Sequence, residues 1–225
     1  MLGERVNAAA VWRQALVIIR RYPLATLGPA LVLGALTETP YLFPDNRSLL
    51  QDVLAFLTES FAFYLYVAYA EELSSEARRG RFIPLPRVLR SLLLAAPLVP
   101  LVTVASLGAI VLPKAAASVL VIPGLWLLTR WSLFAPVIVR ERLGPLAALS
   151  RSNEMVKGHF ELVFLTAALA VVLEEALMDA GALGGLTLTG SGTWGEWVGG
   201  SVAAVVVLPV ASFATALAYG ELIEP

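Results

Sequence analysis

The residues able to do chemistry are few, and several sit where a charge is costly. Arg130 lies within the apolar run TRWSLFAPVIV, Glu59 within another, and Glu174-Glu175 towards the end of a third. A charged side chain at bilayer depth costs ~2.5–3.5 kcal/mol on insertion scales, so it faces a partner or water. Counting back from Arg140 along a continuous helix puts Arg130 ten residues up, about 15 Å from the boundary. Glu59, twelve residues before Glu71, comes out about 18 Å deep. An Arg130–Glu59 pair is therefore expected. Glu174 and Glu175, about 21–23 Å above Phe160, are the alternative partners. Such a pair is either an ion or substrate path or a salt bridge joining helices, and architecture is the simpler account.

Other chemistry finds no constellation. The chain has no cysteine and one histidine, His159, which removes thiol nucleophiles, disulfides and His-based metal sites. Ser150 and Ser152 lack His–Asp partners, and the glycines of 181–200 follow no strand and make no phosphate loop. Glu174, Glu175 and Asp179 form an acidic group with the chemistry to bind a cation from the outer side, though a wetted helix end is the simpler account. No catalytic residue, metal site or cofactor is expected.

The elements that must carry these residues follow from composition. The 225 residues are 58% hydrophobic and 15% charged, with a mean hydropathy of +0.79. A soluble domain is about 45–50% apolar and about 25% charged, so the class is an all-α integral membrane protein. A net charge of −1 gives no case for nucleic acid.

Residues 5–21 pattern as an amphipathic helix in the interface, with Arg13, Gln14, Arg20 and Arg21 on one side and Trp12, Leu16 and Ile19 on the other. Pro23 permits a bend into the first span, which is read as an uncleaved anchor. Six spans are expected: near 24–39 and 49–70, a third that the stretch from Leu85 to Pro97 leads into and that ends near Leu112, then near 115–139, 160–178 and 198–219. Residues 71–82 look like a polar loop. Residues 180–200, rich in Gly, Ser and Thr, look like a flexible loop resting on Trp194 and Trp197. Further basic surface helices begin near Leu85, with Arg87 and Arg90, and at Arg140, with Arg142, Arg151 and Lys157. Pro123-Gly124 and Pro136 should bend the fourth span.

Thirteen Lys and Arg fall on one side of this layout, and only Arg47 and Lys114 on the other. The positive-inside rule then puts both termini in the cytoplasm. The order of elements suggests a threefold repeat of one interfacial helix plus two spans, over residues 6–76, 85–139 and 144–219. The basic residues Arg13, Arg20, Arg21, Arg87, Arg90, Arg140, Arg142, Arg151 and Lys157 are placed to meet anionic lipid heads, each adding about 1 kcal/mol near the surface.

Ile122–Pro123–Gly124, the aromatic-rich span with Pro136, Glu-x-x-Gly-Pro at Glu141 to Pro145, Arg151-Ser152 and Lys157-Gly158-His159-Phe160 together resemble a bacterial membrane family. It is the loose group of six-span proteins of unknown function related to the membrane domain attached to some glycerophosphodiester phosphodiesterases. The motifs cover about a third of the chain. The resemblance implies a six-helix inner-membrane module with interfacial helices and no catalytic residue, because the phosphodiesterase chemistry of those fusions lies in a separate soluble domain.

Two functions follow. One is a non-enzymatic module: a scaffold, a partner subunit or a lipid-organising protein whose partners are membrane lipids and another membrane protein or a second copy of itself. The other is a small transporter or channel-like permease using the Arg/Glu site. A lipid enzyme fares worst, since it needs a His, Asp or Ser cluster at one interface.

Overall fold

A computed structural model describes residues 7–42, 49–78, 126, 129–190 and 192–223, and all regular structure among them is helical. The helices are α1 (Ala8–Arg21), α2 (Pro23–Glu38, ending in a 3-10 turn at Thr39–Leu42), α3 (Leu49–Arg78), α4 (Phe134–Glu141), α5 (Pro145–Lys157), α6 (Phe160–Thr189) and α7 (Gly192–Ile223). The expected third span, most of the fourth, and Arg47, Arg87, Arg90, Lys114, Pro123 and Gly124 lie outside the described residues.

α1 starts at Asn7, whose Oδ1 accepts from the Ala10 N–H at 2.8 Å, satisfying one of the donors a helix start leaves open. Arg20 and Arg21 close it, favourably placed at the negative end of the helix dipole. Its buried face centres on Val11 and Ala15, while Arg13, Gln14 and Arg20 stay exposed. Leu16 and Val17 are exposed too, so the apolar stripe is wider than the protein covers. The chain then bends by 98° into α2, with Pro23 at the first helical position, where its missing N–H costs nothing.

Pro29 lies inside α2 and cannot donate to the Ala25 carbonyl one turn back. Tyr69 of α3 fills that vacancy, its hydroxyl donating to Ala25 O at 2.6 Å. The Tyr66 hydroxyl donates to the neighbouring Thr26 carbonyl. Two tyrosines one turn apart thus fix α2 against α3, antiparallel.

α7 is the axis of the fold, packing against α6, α2, α3 and α1. Its stretch from Val207 to Gly220 is buried throughout, with Phe213 and Tyr219 the largest core side chains. Against α6 it comes as close as backbone allows. A Cβ on Gly199 would lie 1.8 Å from the Gly181 carbonyl oxygen, and one on Gly185 would lie 1.8 Å from that of Gly195.

These glycines overturn the reading of 180–200 as a flexible loop. α6 runs on to Thr189, Gly190 turns the chain with φ 65°, and α7 begins at Gly192. The absent side chains serve close helix approach rather than flexibility. The polar loop expected from Glu71 is likewise helix as far as Arg78, with Glu71, Ser74 and Glu76 buried. Their polarity suggests water, but α4 and α7 cover this end of α3.

By length and composition, α7 can cross a membrane, and α1 with α2 passes the same test only as a bent pair. Every 18-residue window of α6 carries at least three of Glu161, Glu174, Glu175 and Asp179. A basic helix precedes two others in α1–α2–α3 and again in α5–α6–α7, but α2, at 16 residues, is about half the length of α3, α6 and α7 at 30 to 32.

Candidate functional site

Two groups of polar residues lie at opposite ends of this bundle. The first surrounds Arg130. The helical turn that carries it breaks at Ser132–Leu133 before α4 starts at Phe134. A count of 1.5 Å per residue from Arg140 therefore does not apply. Arg130 instead meets the surface helix: its Nη1 donates to Asn153 Oδ1 of α5 at 2.8 Å. Its own carbonyl accepts from Ser152 Oγ at 2.8 Å. Its guanidinium sits 4.0 Å above the centre of the Trp126 ring. The expected Arg130–Glu59 pair is thus replaced by a cation–π contact and a charge-assisted hydrogen bond, worth about 0.5–2 and 1.5–3 kcal/mol respectively.

At the other end of α4, Arg151 Nε donates to Glu141 Oε2 at 3.1 Å, and the Tyr219 hydroxyl donates to Glu141 Oε1 at 3.3 Å. The Glu-x-x-Gly-Pro element now has a local explanation. Glu141 ends α4, Arg142 takes a left-handed conformation at φ 56°, and Gly144-Pro145 begin α5. The carboxylate then joins α5 to α7. α5 is held by both ends of one short segment: Ser152 and Asn153 hold the turn before α4, and Arg151 holds its end.

Among the residues expected at lipid heads, Arg13, Arg20, Arg21, Arg142, Arg151 and Lys157 are exposed. Arg140 is half-buried beside them. Arg151 combines exposure with its ion pair.

The second group lies at the far end of the bundle. Thr37 and Glu38 of α2, Glu59 of α3 and Glu174 of α6 line one cavity of 220 Å³, walled by Ala204 and Leu208 of α7. Glu59 and Glu174, two of the residues singled out in the sequence, are thus brought together without Arg130. Glu175 follows on α6, but its side chain lies outside the described set.

Glu38 is the addition. It is only 5% exposed and makes no hydrogen bond or ion pair with another described residue. Its carboxyl rests on the bare backbone of Gly200, where a Cβ would come within 2.3 Å of Oε2. Trp197 Nε1 donates to Ala35 O at 3.3 Å and fixes the end of α2 against α7. In sequence, Glu38 stands in TETP at the end of the span expected over 24–39, with nothing to single it out. The one available signal is the recurrence of small residues in α7, which only the fold connects to α2.

Among the described residues, no group of three or more His, Cys, Asp or Glu side chains is arranged to hold a metal ion. Comparison of the chain with family models, curated proteins and solved structures found no match.

Proposed function

We propose that this chain is a non-enzymatic, multi-pass module of a bacterial inner membrane, acting as a scaffold, partner subunit or lipid organiser. Six spans with both termini in the cytoplasm, built as three repeats of an interfacial helix plus two spans, is the layout that goes with it. The resemblance to the phosphodiesterase-linked membrane group belongs to the same reading. The observation that carries the proposal is the use made of Arg130. The one arginine whose cost demands a purpose is engaged by Asn153, Ser152 and Trp126 in holding the surface helix α5 to the bundle. These contacts support an architectural use of the arginine.

A second reading rests on Glu38. A buried carboxyl facing a cavity shared with Glu59 and Glu174 is what a small permease for protons or cations would use. One experiment separates the two. The purified chain is reconstituted in vesicles carrying a pH-sensitive dye, with a potassium gradient imposed. The scaffold reading expects proton and potassium leakage equal to that of protein-free vesicles. Leakage that exceeds it and disappears in Glu38→Gln would transfer the assignment to a permease.

A further inference from the structure

Between α2 and α3, on the side of the bundle end where α1 meets α2, an open groove of 360 Å³ is lined by Gly28, Pro29, Val32 and Leu33 of α2 and by Leu65, Tyr66 and Tyr69 of α3. Its lining is apolar because both tyrosine hydroxyls are turned to the Thr26 and Ala25 carbonyls, leaving only ring faces. Leu24, Gly28 and Val32 are successive i+4 positions on α2, forming one ridge. Leu24 and Val32 are both largely exposed, and a Cβ on Gly28 would meet nothing within 4 Å. The ridge therefore has a notch that the protein leaves unfilled. α1 ends in the exposed pair Arg20-Arg21 just before the 98° bend. Gly28 lies six residues beyond Tyr22, about 9 Å along α2. Positive charge thus stands at one level and an apolar channel begins one acyl-chain segment deeper.

We propose that this groove binds one anionic glycerophospholipid, with its phosphate at Arg20 and Arg21 and one acyl chain in the Gly28 notch against Tyr66 and Tyr69. The inference rests on the membrane reading above and adds a defined ligand to it. In a bilayer the groove gains nothing from apolarity alone, since lipid tails are as apolar as its walls. Shape at Gly28 selects a chain, and the two arginines select an anionic head, on the order of tenfold over a zwitterionic one.

The full-length chain in nanodiscs is photolabelled with phosphatidylglycerol or phosphatidylcholine carrying a diazirine in one acyl chain, and the labelled peptides are mapped. Phosphatidylglycerol should label residues 28–33 and 65–69 about tenfold more than phosphatidylcholine. Gly28→Leu enters the notch at a position whose Cβ meets nothing within 4 Å, so it should lower that labelling at least fivefold while leaving the melting temperature unchanged or raised. Arg20→Gln with Arg21→Gln should abolish the head-group preference but keep chain labelling. Equal labelling by both lipids, or labelling in Gly28→Leu equal to the unaltered chain, overturns the site. A chain released from membranes by alkaline carbonate overturns the membrane reading itself, whereas a retained chain with labels spread over all helices overturns only the groove.

Discussion

Replacing Gly199 and Gly28 separately by alanine tests the α6–α7 contact with its own internal control. Both residues lie within helices, so each substitution gains roughly 1 kcal/mol of helix propensity. They differ only in surroundings. At Gly28 the new methyl meets nothing. At Gly199 it would stand 1.8 Å from the Gly181 oxygen and 2.4 Å from its carbonyl carbon. Those are backbone atoms of a long helix and cannot rotate away. α6 and α7 must part by about 1.5 Å to restore ordinary contact, loosening the interface around the central helix of the fold. Overpacking of this kind costs about 1–3 kcal/mol, and the lost contacts add to it. The two variants should therefore differ by about 2–4 kcal/mol. At roughly 2–4 °C per kcal/mol for a chain of this size, that is a gap of about 5–15 °C in detergent-solubilised melting temperature. Gly28→Ala should lie at or above the unaltered protein and Gly199→Ala well below it. Equal melting temperatures would show that α6 and α7 do not approach through their glycines.

Three other outcomes follow from the polar contacts. Tyr69→Phe should cost about 1 kcal/mol, because Ala25 O loses its donor. The loss should shrink in a Pro29→Ala background, where the substituted residue supplies a backbone N–H, so a stability cycle on the two should show coupling. Asn153→Ala and Arg130→Gln should each destabilise by about 1–3 kcal/mol, and the double variant by clearly less than the sum, while Glu59→Gln should show no coupling to Arg130→Gln. Gly200→Ala should destabilise through its clash with the Glu38 carboxyl, and Glu38→Ala should largely rescue it, read by chemical unfolding in mixed micelles.

Several of these features are legible in the residues themselves. The polar and apolar sides of residues 5–21 and the bend at Pro23 are local, and α1 ends and α2 begins where local chemistry says they should; the third surface helix, expected from Arg140, starts instead at Pro145, with Arg140 and Glu141 closing α4. The same motifs that carry the family resemblance, Glu141 to Pro145 and Arg151-Ser152, hold α5 in place. What local chemistry does not supply is what each residue faces. Glu71, Ser74 and Glu76 have solvent-facing composition and lie under α4 and α7. The glycines of 181–199 have loop composition and form a helix–helix contact. Arg130 carries the expected cost but not the expected depth, because the bend expected from Pro136 falls at Ser132–Leu133, one turn back, where the proline ring removes the helical bond to the Ser132 carbonyl. Glu38 is hidden for a similar reason: its cavity is assembled from residues of four helices far apart in sequence.

The central claim is a chain threaded through a membrane with its basic helices on the inner side and the α6–α7 turn on the outer side. Because the natural chain contains no cysteine, single cysteines can be read without background. Ser150→Cys on α5 and Thr189→Cys at the end of α6 both replace exposed residues. In intact cells, a membrane-impermeant maleimide should label Thr189→Cys and leave Ser150→Cys untouched, and inverted vesicles should show the opposite pattern. Labelling of both positions from the same side of the membrane would contradict the account.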